Sequence, residues 1–131
     1  MRQSIEAWIY HPEDGEILLL KVEDEPVSFW QPVTGGIESG ESPEEACLRE
    51  IKEETGLLLA CSSLTGLGDF TVKIDENLSI HKNLFLALTE QKEIRISDEH
   101  VGAQWIALDK VSSQLYWPSN QATFEIITEK L

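Results

Sequence analysis

The apolar and polar positions along the chain divide it into short strands and three helical stretches. Residues 4–10 (SIEAWIY) read as a strand, and His11-Pro12-Glu13-Asp14-Gly15 supplies turn chemistry behind it. Residues 16–22 (EILLLKV) form a second strand, apolar enough to predict burial on both faces. A third strand is expected at 71–74, with an extension back to Leu64 through Gly66 and Gly68. Residues 84–88 (LFLAL) predict a central strand and 103–108 (AQWIAL) another. Helices are expected at 43–55, briefly around 108–115, and at 120–130. Strands interspersed with about three helices imply an α/β layered domain with a mixed sheet. No repeat or low-complexity linker interrupts the pattern, so residues 1–131 are expected to form a single domain.

The first helix carries its own start and stop signals. Ser42 is a favourable N-cap, Pro43 suits the first helical position, and Glu45 completes a capping box. Gly56 supplies a left-handed C-cap. At about 100° per residue, Glu50, Glu53 and Glu54 share one face, while Cys47, Leu48, Ile51 and Thr55 lie opposite and would pack on the sheet. Like charges at these spacings cost a few tenths of a kcal/mol per pair. Such a face is either an ordinary solvated surface, partly neutralised by Arg49 and Lys52, or a place where cations relieve the repulsion.

Composition narrows the partners. With 131 residues, 41% hydrophobic and 26% charged, the chain suits a folded globular domain. A formal charge of −14 repels nucleic-acid polymers and anionic membrane surfaces. A small anionic substrate remains compatible if divalent metals invert the local field. Cys47 and Cys61 show no zinc or disulfide spacing, and two unpaired buried thiols are expected. The N-terminal stretch lacks an apolar signal region, and no apolar run nears the roughly 20 residues of a membrane span. A cytoplasmic location follows as the expectation.

The letters around the acidic helix are specific. Gly35, five residues, Glu41, seven residues, then Arg49-Glu50-Ile51-Lys52-Glu53-Glu54-Thr55-Gly56-Leu57 matches the Nudix box, G-x5-E-x7-R-E-U-x-E-E-x-G-U with U aliphatic, at every position. Fixed letters at a background of about 7% each put a chance match on the order of 10⁻⁸. The chain resembles the Nudix hydrolases over this box, residues 35–57. The resemblance implies an α/β/α sandwich with a mixed sheet and metal-dependent attack of water on a diphosphate. It implies Mg²⁺, with Mn²⁺ able to substitute, and hard oxygen ligands suit such ions. Glu50 and Glu54 correspond to principal metal ligands, and Glu53 to a further ligand or to the residue handling the attacking water. Arg49, placed with Glu50 and Glu53 in the catalytic set, is expected to orient a carboxylate rather than touch substrate. Gly35 and Gly36 match a shaping loop, Thr34-Gly35-Gly36, that lets backbone approach closely and offers a carbonyl. Glu41 is expected to be structural.

Outside the box, Val33-Thr34-Gly35, Asp98-Glu99-His100 with Trp105, and Ser119-Asn120-Gln121-Ala122 resemble the branch containing dihydroneopterin triphosphate (dATP) pyrophosphohydrolase. By local sequence Glu99 reads as a solvated loop acid beside Asp98; the branch resemblance instead implies a metal ligand beyond the box. Thr34 either bonds its own turn or contacts phosphate. Trp30 and Trp117 either stack on a base or pterin ring or belong to the core. Lys21, ending a strand aimed at the box, either touches phosphate or sits on the surface. Asn120 either caps the last helix or lines the pocket. Lys73 and Lys82 are further candidates to grip a triphosphate tail, and His11, His81 and His100 are expected to be structural. The implied reaction takes a nucleoside or pterin triphosphate, a small nucleotide-like molecule, to monophosphate and pyrophosphate. ADP-ribose or a dinucleoside polyphosphate is the alternative substrate, and a non-catalytic metabolite sensor a third reading. Relatives often pair, so a homodimer is an expectation that the resemblance carries and these residues do not specify.

Overall fold

Seven strands order themselves around the first one. The computed structural model describes residues 2–131. The strands are β1 (Arg2–His11), β2 (Glu16–Asp24), β3 (Val27–Gln31), β4 (Val33–Gly36), β5 (Leu64–Lys73), β6 (Ser79–Leu88) and β7 (Gly102–Ala107). The helices are α1 (Pro43–Thr55), the single turn α2 (Val111–Gln114) and α3 (Pro118–Thr128). β1 pairs in parallel with β6 along its length, while all other pairings are antiparallel, so the sheet is mixed as expected. The other edge of β1 is shared. Its first half pairs with β4, from Ser4 opposite Gly36 to Ala7 opposite Val33, and its last three residues pair with β2. β2 in turn carries both β7 and β3.

Side-chain alternation sorts the sheet into two cores. Ile5, Ala7, Ile9, Leu18, Leu20, Phe85 and Ala87 face α1, where Ala46, Cys47 and Ile51 meet them. Trp8, Ile17, Leu19, Leu84 and Leu86 face the opposite side and meet Phe124 and Ile127 of α3. Burying each large apolar side chain contributes about 1.5–3 kcal/mol, so both helices are held by packing rather than by intrinsic propensity. The result is the α/β/α sandwich anticipated from the sequence. β2 is buried on both faces from Ile17 to Leu20, as its unbroken apolar run predicts.

α1 has the predicted ends. Ser42 and Glu45 form the reciprocal capping box, and Gly56 closes the helix at φ 78°. Other expectations need correction. β3 and β4 were not foreseen; the segment Thr34-Gly35-Gly36, expected as a loop, is most of β4 and hydrogen-bonds to β1. The short, Gly-containing run has no strand signal of its own and takes extended form because β1 offers a free edge. α3 starts at Pro118 with Trp117 as its N-cap residue, so Asn120 is inside the first turn and caps nothing. Cys47 is buried, its thiol pushed up to about 12 by burial and then by the charge of Glu44. Cys61 is exposed in a short 3-10 turn, contrary to the expected burial of both thiols. Among the described residues no helix is long and apolar enough to cross a membrane.

Candidate active site

The three helix carboxylates do not share one environment. The side chain of Glu53 is 56% exposed, that of Glu50 13% and that of Glu54 4%. The solvated acidic face allowed by the sequence is therefore only its outer third; the helix leans so that Glu54 enters the protein and Glu50 meets β4. There Gly35 makes room: a Cβ on it would fall inside the Glu50 carboxylate.

Arg49 organises this side. Its Nε and Nη2 donate to the two oxygens of Glu41 at 2.6 and 3.0 Å, a bidentate fork. Nη2 also donates to the Gly36 carbonyl at 2.8 Å, and Nη1 to Glu50 at 2.8 Å and Glu53 at 3.2 Å. One guanidinium thus fastens the helix to the end of β4 and spaces two carboxylates. The same hydrogen bond to Glu41 holds the Arg49 proton more tightly than usual and keeps Glu41 below the ordinary carboxylate range.

Glu54 is held from the other direction. The segment after β6 runs past the end of α1, where the Arg95 amide donates to the Thr55 carbonyl, and brings in His100. His100 Nε2 lies 3.2 Å from Glu54 Oε1, both side chains almost wholly buried. Sequence reading left His100 without a partner; a histidine directly after Glu99 was the available signal. Burial first, then the adjacent Glu50 and the charges of Glu99 and Glu53, push Glu54 well above the usual carboxylate range. Burial also lowers His100, against the pull of Glu99. Glu99 itself is exposed, close enough for its charge to be felt at Glu54.

Among the described residues no three acidic, imidazole or thiol groups are drawn together into a closed cage. Arg49 holds Glu50 and Glu53, and His100 holds one oxygen of Glu54. The donor set nevertheless fits a hard divalent cation. Glu54 Oε2 is buried with no hydrogen-bond partner, and it belongs to a carboxylate that only a nearby positive charge would restore to its ionised form. Glu50 and Glu53 supply further oxygens from the same helix, and Glu99 from the facing loop.

A pocket of about 510 Å³ opens on the other face of the sheet, against the start of α3. Thr34, one residue before Gly35, lines it with Glu6, Lys73, Lys82, Trp117 and Asn120. Thr34 Oγ1 donates to the Ile5 carbonyl at 3.1 Å, and Lys82 Nζ reaches it at 3.5 Å. Of the substrate-binding candidates, Thr34 and Asn120 reach this pocket, and Gly35 stands between it and Glu50. Lys21 and Trp30 do not line it. Lys21 is mid-strand rather than at a strand end, and its ammonium sits 5.9 Å from the Trp30 ring centroid, while Trp30 packs on the second core. Glu6 was missed altogether. Its signal is a lone acid within the apolar run SIEAWIY, and it is completely buried.

Comparison with known proteins agrees with the fold. The NUDIX domain family matches residues 2–127. Dihydroneopterin triphosphate diphosphatase of Haemophilus influenzae is 31% identical over 121 residues, covering 82% of this chain and 75% of that protein. The asymmetrical bis(5'-nucleosyl)-tetraphosphatase of Mus musculus is 31% identical over 115 residues, covering 84% of this chain and 76% of the mouse protein. The structure of Escherichia coli dihydroneopterin triphosphate pyrophosphohydrolase superposes with a TM-score of 0.82 at 24% identity, over 98% of this chain and 96% of that one. With the box intact on α1, the sandwich in place and the match running nearly end to end, this chain belongs to the Nudix hydrolase family.

Proposed function

We propose that this protein is a Mg²⁺-dependent pyrophosphohydrolase that takes a nucleoside or pterin triphosphate to the monophosphate and pyrophosphate. The observation that carries the reading is the run of β4. Consecutive residues Thr34 and Gly35 face the ring-sized pocket on one side of the sheet and Glu50 on the other. A ligand whose heterocycle occupies the pocket leads its phosphates past this strand towards the carboxylates of α1. Lys73 on the pocket wall supplies positive charge in an otherwise acidic protein, and Lys82 stands beside Thr34 where the heterocycle would lie. The diphosphatase relatives named above support the same substrate class.

Glu50, Glu53, Glu54 and Glu99 are the residues that would hold magnesium, with manganese as a substitute. The cation, when bound, neutralises phosphate charge and acidifies water. In this reading Glu53, the most exposed of the three helix acids, takes the proton of the attacking water. Arg49 touches no substrate in this scheme and acts by fixing Glu50, Glu53 and the end of β4. Arg49→Lys keeps the charge but loses the fork. Its expected effects are a loss of about 1.5–3 kcal/mol of stability in chelator, read by urea denaturation, and a fall of about 10-fold or more in turnover. A variant with normal turnover would remove Arg49 from the site.

The function is tested by mass spectrometry of the products formed from dNTPs, dihydroneopterin triphosphate, ADP-ribose and diadenosine tetraphosphate with Mg²⁺. Glu54→Gln serves as the contamination control. Pyrophosphate and a monophosphate from the triphosphates support the proposal. Cleavage confined to ADP-ribose or the dinucleotide overturns the substrate class while keeping the chemistry, and no cleavage of any of them favours a sensor.

A further inference from the structure

The buried acid at the pocket floor has no part in the chemistry just described. Glu6 projects from β1 beside Thr34 of β4 and is fully enclosed between sheet and α3. Trp8 Nε1 and Thr123 Oγ1 donate to its Oε2 at 3.0 and 2.6 Å. Asn120 Nδ2 and Lys82 Nζ donate to its Oε1 at 3.3 and 3.4 Å. Four donors and no acceptor surround it, the complement of a carboxylate.

This arrangement decides which way two pocket groups face. A carboxylate oxygen accepts only from the amide nitrogen of Asn120, so the Asn120 Oδ1 is the atom turned away from Glu6. Among the described residues it takes part in no hydrogen bond. The Lys82 ammonium, tethered by long contacts to Glu6 and Thr34, keeps donor capacity for a ligand. An acceptor and a cationic donor, both fastened to one oxygen of Glu6, therefore stand side by side on the pocket wall.

We infer that Glu6 is a specificity-determining positioning residue, which sets Asn120 and Lys82 to read the adjacent N–H and C=O of a lactam edge, as in guanine, hypoxanthine or a 4-oxopterin. Adenine offers the reverse pair, an amino group towards the ammonium and a bare ring nitrogen towards Asn120 Oδ1. The ring cannot turn over to exchange them, because its phosphates must leave towards Gly35 and Glu50. This rests on the triphosphate reading, and it narrows the heterocycle that the reading leaves open.

The test measures binding without turnover. Affinities for GMP, IMP and AMP are determined by calorimetry in chelator for the wild type, E6Q and the double variant E6Q/N120D. The wild type is expected to bind GMP and IMP about 10-fold or more tightly than AMP, the worth of one well-made hydrogen bond. E6Q keeps an oxygen for Trp8 and Thr123 but turns an amide nitrogen on Asn120 and Lys82; it should abolish or invert the preference. E6Q/N120D exchanges amide and acid, returns an acceptor to the pocket and should restore it. A purely structural Glu6 would weaken all three ligands alike. Equal wild-type affinities, no binding of any of the three, or an unchanged ratio in E6Q overturns the inference. Should E6Q fail to fold, the double variant decides, and a folded double variant that binds AMP as well as GMP overturns it too. Triphosphate hydrolysis is assayed separately: a wild type that cleaves none sinks the proposed function but leaves the binding ratios to judge Glu6.

Discussion

Glu54→Gln is expected to lower metal-dependent kcat by at least about 10²-fold while leaving the metal-free protein as stable as before, or more stable. Both halves come from one fact. In the absence of a cation the Glu54 carboxyl is a poor place for a negative charge: it is buried, Glu50 is beside it, and one oxygen has no partner. Replacing it with a neutral amide removes that conflict, while His100 keeps a polar neighbour at Oε1. What is lost is the ionised oxygen that a divalent ion would claim. Thermal denaturation in chelator should therefore show an unchanged or raised Tm. Added Mg²⁺, expected to stabilise the wild type by binding the native state, should no longer shift it. A variant that turns over normally, or that still gains the wild-type Mg²⁺ shift, would take Glu54 out of the metal site. Glu53, mostly in water, should show the smaller stability change when altered in the same way.

The parts of this molecule that could be read from its sequence are those dictated by local rules. α1 was legible to the residue because its capping box, first-turn proline and terminal glycine are all short-range signals. β2 was legible because its apolar run is short for a helix and follows a Pro- and Gly-containing turn, which favours a strand covered on both faces. The box located Glu50, Glu53 and Glu54, but not their unequal burial. That follows from how α1 tilts on Ile5, Leu18 and Phe85, contacts distant in sequence. β4 was hidden because a strand of Val33, Thr34 and two glycines owes its form to the free edge of β1 rather than to propensity. Glu6 and the partner of His100 were missed for a related reason. Each becomes meaningful only through a partner 46 or 114 positions away, Glu54 for one and Asn120 for the other. Lys21 differs: the strand direction aimed it at the box with a surface place as the alternative, and the fold sets its ammonium beside the Trp30 ring across the strand pair.

Gly35→Ala should silence the enzyme without unfolding it. An added Cβ would occupy the position of the Glu50 carboxylate, so one of the two must move. The obstruction is the end of a flexible side chain rather than backbone, and swinging Glu50 aside costs its 2.8 Å bond to Arg49 and its place at the end of β4. β4 itself can stay, since Val33 remains in the core and the pairing of Ser4 with Gly36 and Ala7 with Val33 is untouched. Stability in chelator should fall by about 1–2 kcal/mol, the size of one charge-assisted bond partly replaced by water. Turnover should fall by about 10²-fold or more, because in the proposed site a displaced Glu50 carboxylate would no longer reach the cation that it is to share with Glu54. Gly66→Ala is the control: a Cβ there meets nothing closer than the Phe85 ring at 3.8 Å, an ordinary contact, and activity should stay near that of the wild type. The decisive pair of measurements is urea denaturation in chelator beside initial rates in Mg²⁺. If Gly35→Ala and Gly66→Ala lose activity to the same extent, the glycine is only shaping the strand; if Gly35→Ala alone loses it while both remain folded, the space at Gly35 exists for the Glu50 carboxylate.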